Sequence, residues 1–147
     1  MADLRMIRQH EIIHPDLQQA TVVIVGLGML GSWVAESLSR IAYRVHGWDF
    51  DDVGPENLGT QAYSESNLDQ SKANALADNL IGLPFYAQPW KFLGDLTPEA
   101  LCILPGERVI VISCVDSFAN RKIVAEWAQK YAETYIYTRA AGTVGVV

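Results

Sequence analysis

Apolar positions in this chain alternate between short unbroken runs and stretches with helical spacing. Thr21-Val22-Val23-Ile24-Val25 carries no charge and is rich in β-branched residues, which predicts a strand buried on both faces. Over residues 29–41 the apolar side chains Trp33, Val34, Leu38 and Ile41 recur along one side of a helix, and residues 44–49 predict a second strand. A long loop from 50 to about 67 is broken by Gly54, Pro55 and Gly59. Asp69 is placed to cap a helix from about 70 to 80. Residues 85–92 predict a third strand, which Pro89 demotes towards a sheet edge. Then come a buried strand at 109–114, a helix at 117–131 and a strand at 134–138. Residues 1–20 mix polar and apolar types and predict a short helix or arm against the core. Strands alternating with helices imply a mainly parallel sheet with helices on both faces, in one domain over residues 1–147.

The first strand runs straight into Gly26-Leu27-Gly28-Met29-Leu30-Gly31, which opens the first helix, and Asp49 closes the second strand. That is the Rossmann-like arrangement, with a nucleotide phosphate at the helix N-terminus and a carboxylate at its ribose. Gly26 permits the tight turn, Gly28 lets backbone approach phosphate, and Gly31 allows close helix–strand packing. A tight turn in an ordinary α/β protein is the plainer alternative. The strand, helix and acid in register favour nucleotide binding.

Composition narrows the partners. Half of the residues are hydrophobic and 19% are charged, as in a globular chain. A net charge of -6 without a run of Lys or Arg argues against nucleic acid or an anionic membrane as the main partner. Runs such as 22–25 and 109–112 are too short to span a bilayer, and the charged residues Asp3, Arg5, Arg8 and Glu11 do not suit a secretory signal. Cys102 and Cys114 have no metal-ligand spacing, and His10, His14 and His46 are scattered. A soluble, cytoplasmic protein is expected, with Trp33 and Trp48 in its core. The apolar run 142–147 reads as a turn entering a strand that leads nowhere, which predicts that the chain is truncated from something longer.

The next segment carries a more specific pattern. Asp49-Phe50-Asp51-Asp52-Val53 is followed by Asn57-Leu58-Gly59-Thr60-Gln61 and then by Lys72 near the start of a helix. Arg5-x-x-Arg8-Gln9 lies upstream, and Ser113-Cys114-Val115-Asp116 follows a later strand. In this order and spacing the chain resembles the ThiF/MoeB/HesA family, the bacterial relatives of ubiquitin-activating enzymes, over most of its length. The resemblance implies an ATP-dependent adenylyltransferase that activates a C-terminal carboxylate, that of a ubiquitin-like or sulfur-carrier protein, and releases pyrophosphate. It also implies a homodimer using ATP and Mg2+. By the same resemblance Asp49 binds the ribose hydroxyls, Lys72 the phosphates and Asp116 the magnesium. Asn57 and Gln61 position the triphosphate or its loop, and Arg8, with Arg5, reaches a second subunit's site. Arg8, Lys72 and Asp116 then form the catalytic set, and Gly26, Gly28, Gly31 and Asp51 join the nucleotide-binding set.

Plainer readings stand beside these. Lys72 is otherwise a solvated helix lysine, Asp116 a helix cap, Asp51 and Asp52 solvated loop charges, and Cys114 a small core residue. Three departures count against catalysis. Thr60 stands where the family has arginine, Met29 stands where its turn has a further glycine, and the distal half is missing. A lost charge-assisted phosphate contact of about 1.5–3 kcal/mol slows turnover about 10- to 100-fold. The alternative functions are a non-catalytic nucleotide-binding scaffold subunit and a nicotinamide-dependent (NAD) oxidoreductase.

Overall fold

The computed structural model describes residues 11–141 and 144–146. In chain order the elements are α1 (Pro15–Gln18), β1 (Thr21–Val25), α2 (Gly31–Leu38), β2 (Arg44–Trp48), α3 (Lys72–Asn79) and β3 (Phe85–Gln88). They continue with β4 (Val109–Ser113), α4 (Phe118–Tyr131), β5 (Thr134–Tyr137), β6 (Arg139–Ala141) and β7 (Val144–Val146). The first five strands form one sheet in the order β3-β2-β1-β4-β5, every pair parallel. β6 and β7 pair antiparallel in a separate ribbon. The order reverses between β1 and β4, which opens a crevice at the carboxyl ends of the strands.

Parallel strands need crossovers, and the crossovers bury both faces. On one face Val22 and Ile24 pack with Ala35 of α2 and with Ala73, Ala75 and Leu76 of α3. On the other, Val23 and Val25 pack with Val124, Trp127 and Ala128 of α4. The β3–β4 connection covers this second face with loop side chains, Phe92, Leu101 and Ile103. Phe92 stands edge-on to both Trp48 and Trp127, with centroids 5.3 and 5.8 Å apart, and Trp127 Nε1 donates to the Leu96 carbonyl at 2.6 Å. Helices on both faces of a parallel sheet are what the alternation predicts.

Four local expectations change. Trp33 is 51% exposed, its Nε1 donating to the Thr60 carbonyl at 3.0 Å, because α2 turns Gly31, Ser32 and Ala35 inward instead. Val34 and Leu38 pack partly against the core, as their spacing predicts. Asp69 is not the cap of α3; it sits at φ 63°, and Ser71 Oγ accepts the Asn74 N–H. Asp69 donates its N–H to the Val53 carbonyl, and Ser71 bridges to Asp52, so the helix begins only after Ser71. β3 is the edge strand that Pro89 foretold, yet it stops at Gln88, before the residue that lacks an N–H. β6 was not expected; its short strand forms only by pairing with β7. Arg5, Arg8, Gly142, Thr143 and Val147 lie outside the described residues. Among the described residues no helix is long and apolar enough to cross a membrane.

His46 sits in β2, 6% exposed, its ring stacked 5.2 Å from that of Tyr86. Burial, with the charge of Arg44, lowers its pKa to about 4, against a partial opposing pull from Glu107. An unfolded His46 titrates near 6.5. Between these values the unfolded chain binds more protons, so stability falls as pH drops through this window and levels off below about 4. The expected loss is about 3 kcal/mol. Urea melts at pH 7 and pH 4.5 should show this loss in the wild type and a smaller one in His46→Leu; equal losses would refute it.

Candidate functional site

A cavity of about 580 Å³ opens over the carboxyl ends of β1, β2 and β4. Its floor begins with the glycine turn. Gly26 has φ 93° and donates its N–H to the Trp48 carbonyl at 2.8 Å, and a Cβ there would meet the Cys114 carbonyl at 2.8 Å. A Cβ on Gly31 would lie 1.7 Å from the Gly26 carbonyl oxygen, which fixes how near α2 approaches the turn. Gly28 lines the cavity with nothing within 4 Å of its missing side chain. Two glycines therefore serve packing and the third leaves space. No side chain caps the N-terminus of α2.

Leu27, inside the turn, is held from two sides. Its N–H donates to Asp49 Oδ2 and its carbonyl accepts the Tyr63 hydroxyl, both at 2.7 Å. The Ser32 hydroxyl donates to the Gly28 carbonyl at 2.6 Å and accepts the Ala62 N–H at 3.0 Å. The other oxygen of Asp49 accepts the Asp51 N–H at 2.9 Å. Burial pushes the Asp49 carboxyl above the ordinary carboxylate range, opposed by these N–H groups and by the charge of Lys72. Lys72 is 7% exposed, with Nζ 3.5 Å from Asp51 Oδ2. Its own N–H donates to the Asp51 carbonyl at 2.9 Å. It is therefore not a solvated surface lysine, and Asp51 is not a free loop charge.

Across the cavity, Asp116 follows β4 and presents an exposed carboxylate to the lining. It is not the cap of α4, since Ser117 Oγ accepts the Asn120 N–H at 3.2 Å. Arg121 instead holds the loop, donating to the carbonyls of Val115 at 3.0 Å and Asp116 at 2.8 Å. Cys114 lies half-buried on the lining, its thiol pKa raised by burial, and accepts the Thr138 hydroxyl at 3.3 Å. It is thus a wall residue as well as a core contact.

Of the residues singled out by sequence, the fold brings Gly26, Gly28, Asp49, Asp51, Gln61, Lys72 and Asp116 to this one cavity. Gln61 presents a buried Oε1 that has no hydrogen-bond partner among the described residues. Gly31 lies behind the wall. Asn57 is away from the lining; its Oδ1 accepts the Gly54 N–H at 2.8 Å and its carbonyl accepts the Gln61 N–H at 2.9 Å, so it shapes the loop that carries Gln61. Met29 lines the cavity and Thr60 does not. Sequence reasoning missed Trp90, Lys91, Asn120, Arg121, Thr138 and Arg139 on the lining. The available signal was positional: each lies just past a strand's carboxyl end or in the first turn of α4.

Among the described residues no three His, Cys, Asp or Glu side chains gather as a metal site. A lone Asp116 suits magnesium, which takes one or two carboxylates and completes its shell with phosphate and water.

The fold and site together define a Rossmann-like α/β domain with its cavity at the switch point. The chain belongs to the ThiF family, which it matches over residues 5–147. It is 30% identical to the sulfur carrier protein ThiS adenylyltransferase of Bacillus subtilis (strain 168) over 134 residues, covering 88% of this chain and 40% of that protein. It is 28% identical to the ATP-dependent ubiquitin transferase-like protein Cap2 of Enterobacter hormaechei subsp. hoffmannii (strain UCI 50), covering 82% of this chain and 21% of that one. The chain thus spans less than half the length of either relative. Its fold matches that of E. coli tRNA N6-threonylcarbamoyladenosine dehydratase, TcdA, in a structure with ATP. The TM-score is 0.74 at 21% identity, over 92% of this chain and 59% of that one.

The glycine geometry separates two substitutions. Gly31→Ala should cost about 3 kcal/mol or more, since the new atom meets backbone. Gly28→Ala should stay within about 1 kcal/mol of wild type, since nothing is near. Urea unfolding checks both, and equal costs would contradict the packing described.

Proposed function

We propose that this chain is the nucleotide-binding part of an ATP-dependent adenylyltransferase that activates the C-terminal carboxylate of a ubiquitin-like or sulfur-carrier protein. The observation that carries this reading is that Asp49 and Lys72 face one cavity floored by the glycine turn. Family membership and the names of the relatives, a ThiS adenylyltransferase and an ATP-dependent ubiquitin transferase-like protein, support it.

In the reaction a carboxylate oxygen attacks the α-phosphorus of ATP, the bond from that phosphorus to the bridging oxygen breaks, and pyrophosphate leaves with the bonding pair. Asp49, already oriented by two N–H donors, has lone pairs left to accept from ribose hydroxyls. The N–H groups opening α2, apart from that of Ser32, which the Gly28 carbonyl accepts, would meet phosphate oxygens. Lys72, fixed by Asp51, neutralises charge beside them from a largely dry position where the interaction is strongest. Asp116 would hold Mg2+, which supplies further neutralisation of phosphate charge. Gln61 offers its unpartnered Oε1 to a hydroxyl or amine of the bound substrate. In this reading the active form is a homodimer in the cytoplasm, with Arg8 reaching the partner's site.

Thr60 favours a second reading, since it places no guanidinium on the 57–61 loop: a scaffold subunit that binds nucleotide without turning it over. A nicotinamide enzyme would use Asp49 and the glycine turn, but it has no need of an ammonium beside the phosphates.

Pyrophosphate–ATP exchange with candidate carrier proteins distinguishes these readings. Exchange is expected, and Lys72→Ala and Asp116→Asn should each reduce it by about 100-fold or more. ATP binding without exchange would leave the scaffold, and preference for NAD would defeat both. Thr60→Arg should tighten ATP binding about tenfold by adding a charge-assisted contact, measured by calorimetry. An unchanged affinity would mean that this loop does not face the phosphates.

A further inference from the structure

We infer that Arg139 supplies the guanidinium that grips the distal, β- and γ-phosphates of the nucleotide, in place of the arginine missing at position 60. The inference rests on the nucleotide reading of the cavity and names a residue which that reading does not use.

Among the described residues four cations reach the lining: Lys72, Lys91, Arg121 and Arg139. Lys72 is paired with Asp51, and Arg121 donates to two backbone carbonyls. Lys91 enters from beyond β3, on the ribose side of the sheet. Arg139 opens β6 and enters from the opposite end, its exposed side chain without a hydrogen bond or ion pair among the described residues. A chain of net charge -6 repels a polyanion at long range, so an unpaired cation inside the cavity has an evident use.

The strand order places it at the far end of the ligand. Asp49 closes β2, the glycine turn follows β1, Asp116 follows β4 and Arg139 follows β5. Strands lie about 4.8 Å apart, so these stations are spread over roughly 14 Å in the order ribose, α-phosphate, distal phosphates. The root of Arg139 is fixed to the end of β4. Thr138 donates its N–H to the Ser113 carbonyl at 2.9 Å and its hydroxyl to Cys114 Sγ at 3.3 Å. A guanidinium anchored in this way can present two parallel N–H groups to phosphate oxygens. On the other wall Thr60 lies off the lining with its carbonyl engaged by Trp33.

Calorimetry with the full chain, Mg2+ and either ATP or AMP tests this. Arg139→Gln should weaken ATP about 10- to 100-fold and leave AMP within about twofold, because AMP lacks the groups held. Arg139→Lys, which keeps charge without the fork, should lose less. Thr60→Arg should recover more affinity in the Arg139→Gln background than it adds to wild type, as expected if the two positions serve one anion. Unchanged ATP affinity in Arg139→Gln, or equal losses for ATP and AMP, would overturn the assignment while the nucleotide site stands. Wild-type protein that binds neither nucleotide would overturn both. Arg139 joins the β6–β7 pairing through its backbone while its side chain is exposed, and matching circular dichroism spectra establish that the variants are folded.

Discussion

A partly buried carboxylate joins the two loops from which the cavity is built. Asp49 accepts one N–H from the glycine turn and one from its own following loop, and the Tyr63 hydroxyl on the Leu27 carbonyl ties the same two segments a second time. The arrangement is costly, since burial disfavours the charged form, and the two N–H donors with Lys72 offset only part of that cost. A group held in this state is preorganised. It needs no reorientation to accept hydroxyl groups, and the entropy of fixing it has been met in folding.

The same loops explain the placement of α2. Gly31 lets the helix approach the turn, Ser32 and Ala35 are fully buried beneath it with Val34 and Leu38 partly so, and the large side chain of Trp33 is left outside to bridge to Thr60. The hydrophobic spacing of residues 33–41 put Trp33 on the same inward side as Val34 and Leu38, and those two do pack against the core while Trp33 does not. Periodicity reports which positions are apolar; it does not report how near the helix lies.

Much of the fold was legible because its signals are local. The run 21–25 has one physical solution, the glycine turn requires the left-handed conformation found at Gly26, and Ser117 begins a helix with the capping hydroxyl such a start needs. The candidate site was legible where residues cluster along the chain, from Asp49 to Lys72. Arg121 and Arg139 were not, because their relevance arises only when β4 and β5 lie side by side. The cap of α3 was misplaced because an isolated bridge to Asp52, a contact distant in sequence, holds Ser71 extended and delays the helix to Lys72. Asn57 stands in the expected motif yet works on its own loop, so a motif position marks where to look and leaves open which atoms meet the ligand.

The ring chain on the second face has a consequence for how such a domain can diversify. Trp48, Phe92 and Val124 belong at once to the hydrophobic interior and to the cavity wall. Reshaping that floor to admit a different molecule would hollow out the interior and sacrifice robustness. Novelty is therefore cheapest at the rim, among exposed side chains such as Trp90 and Lys91.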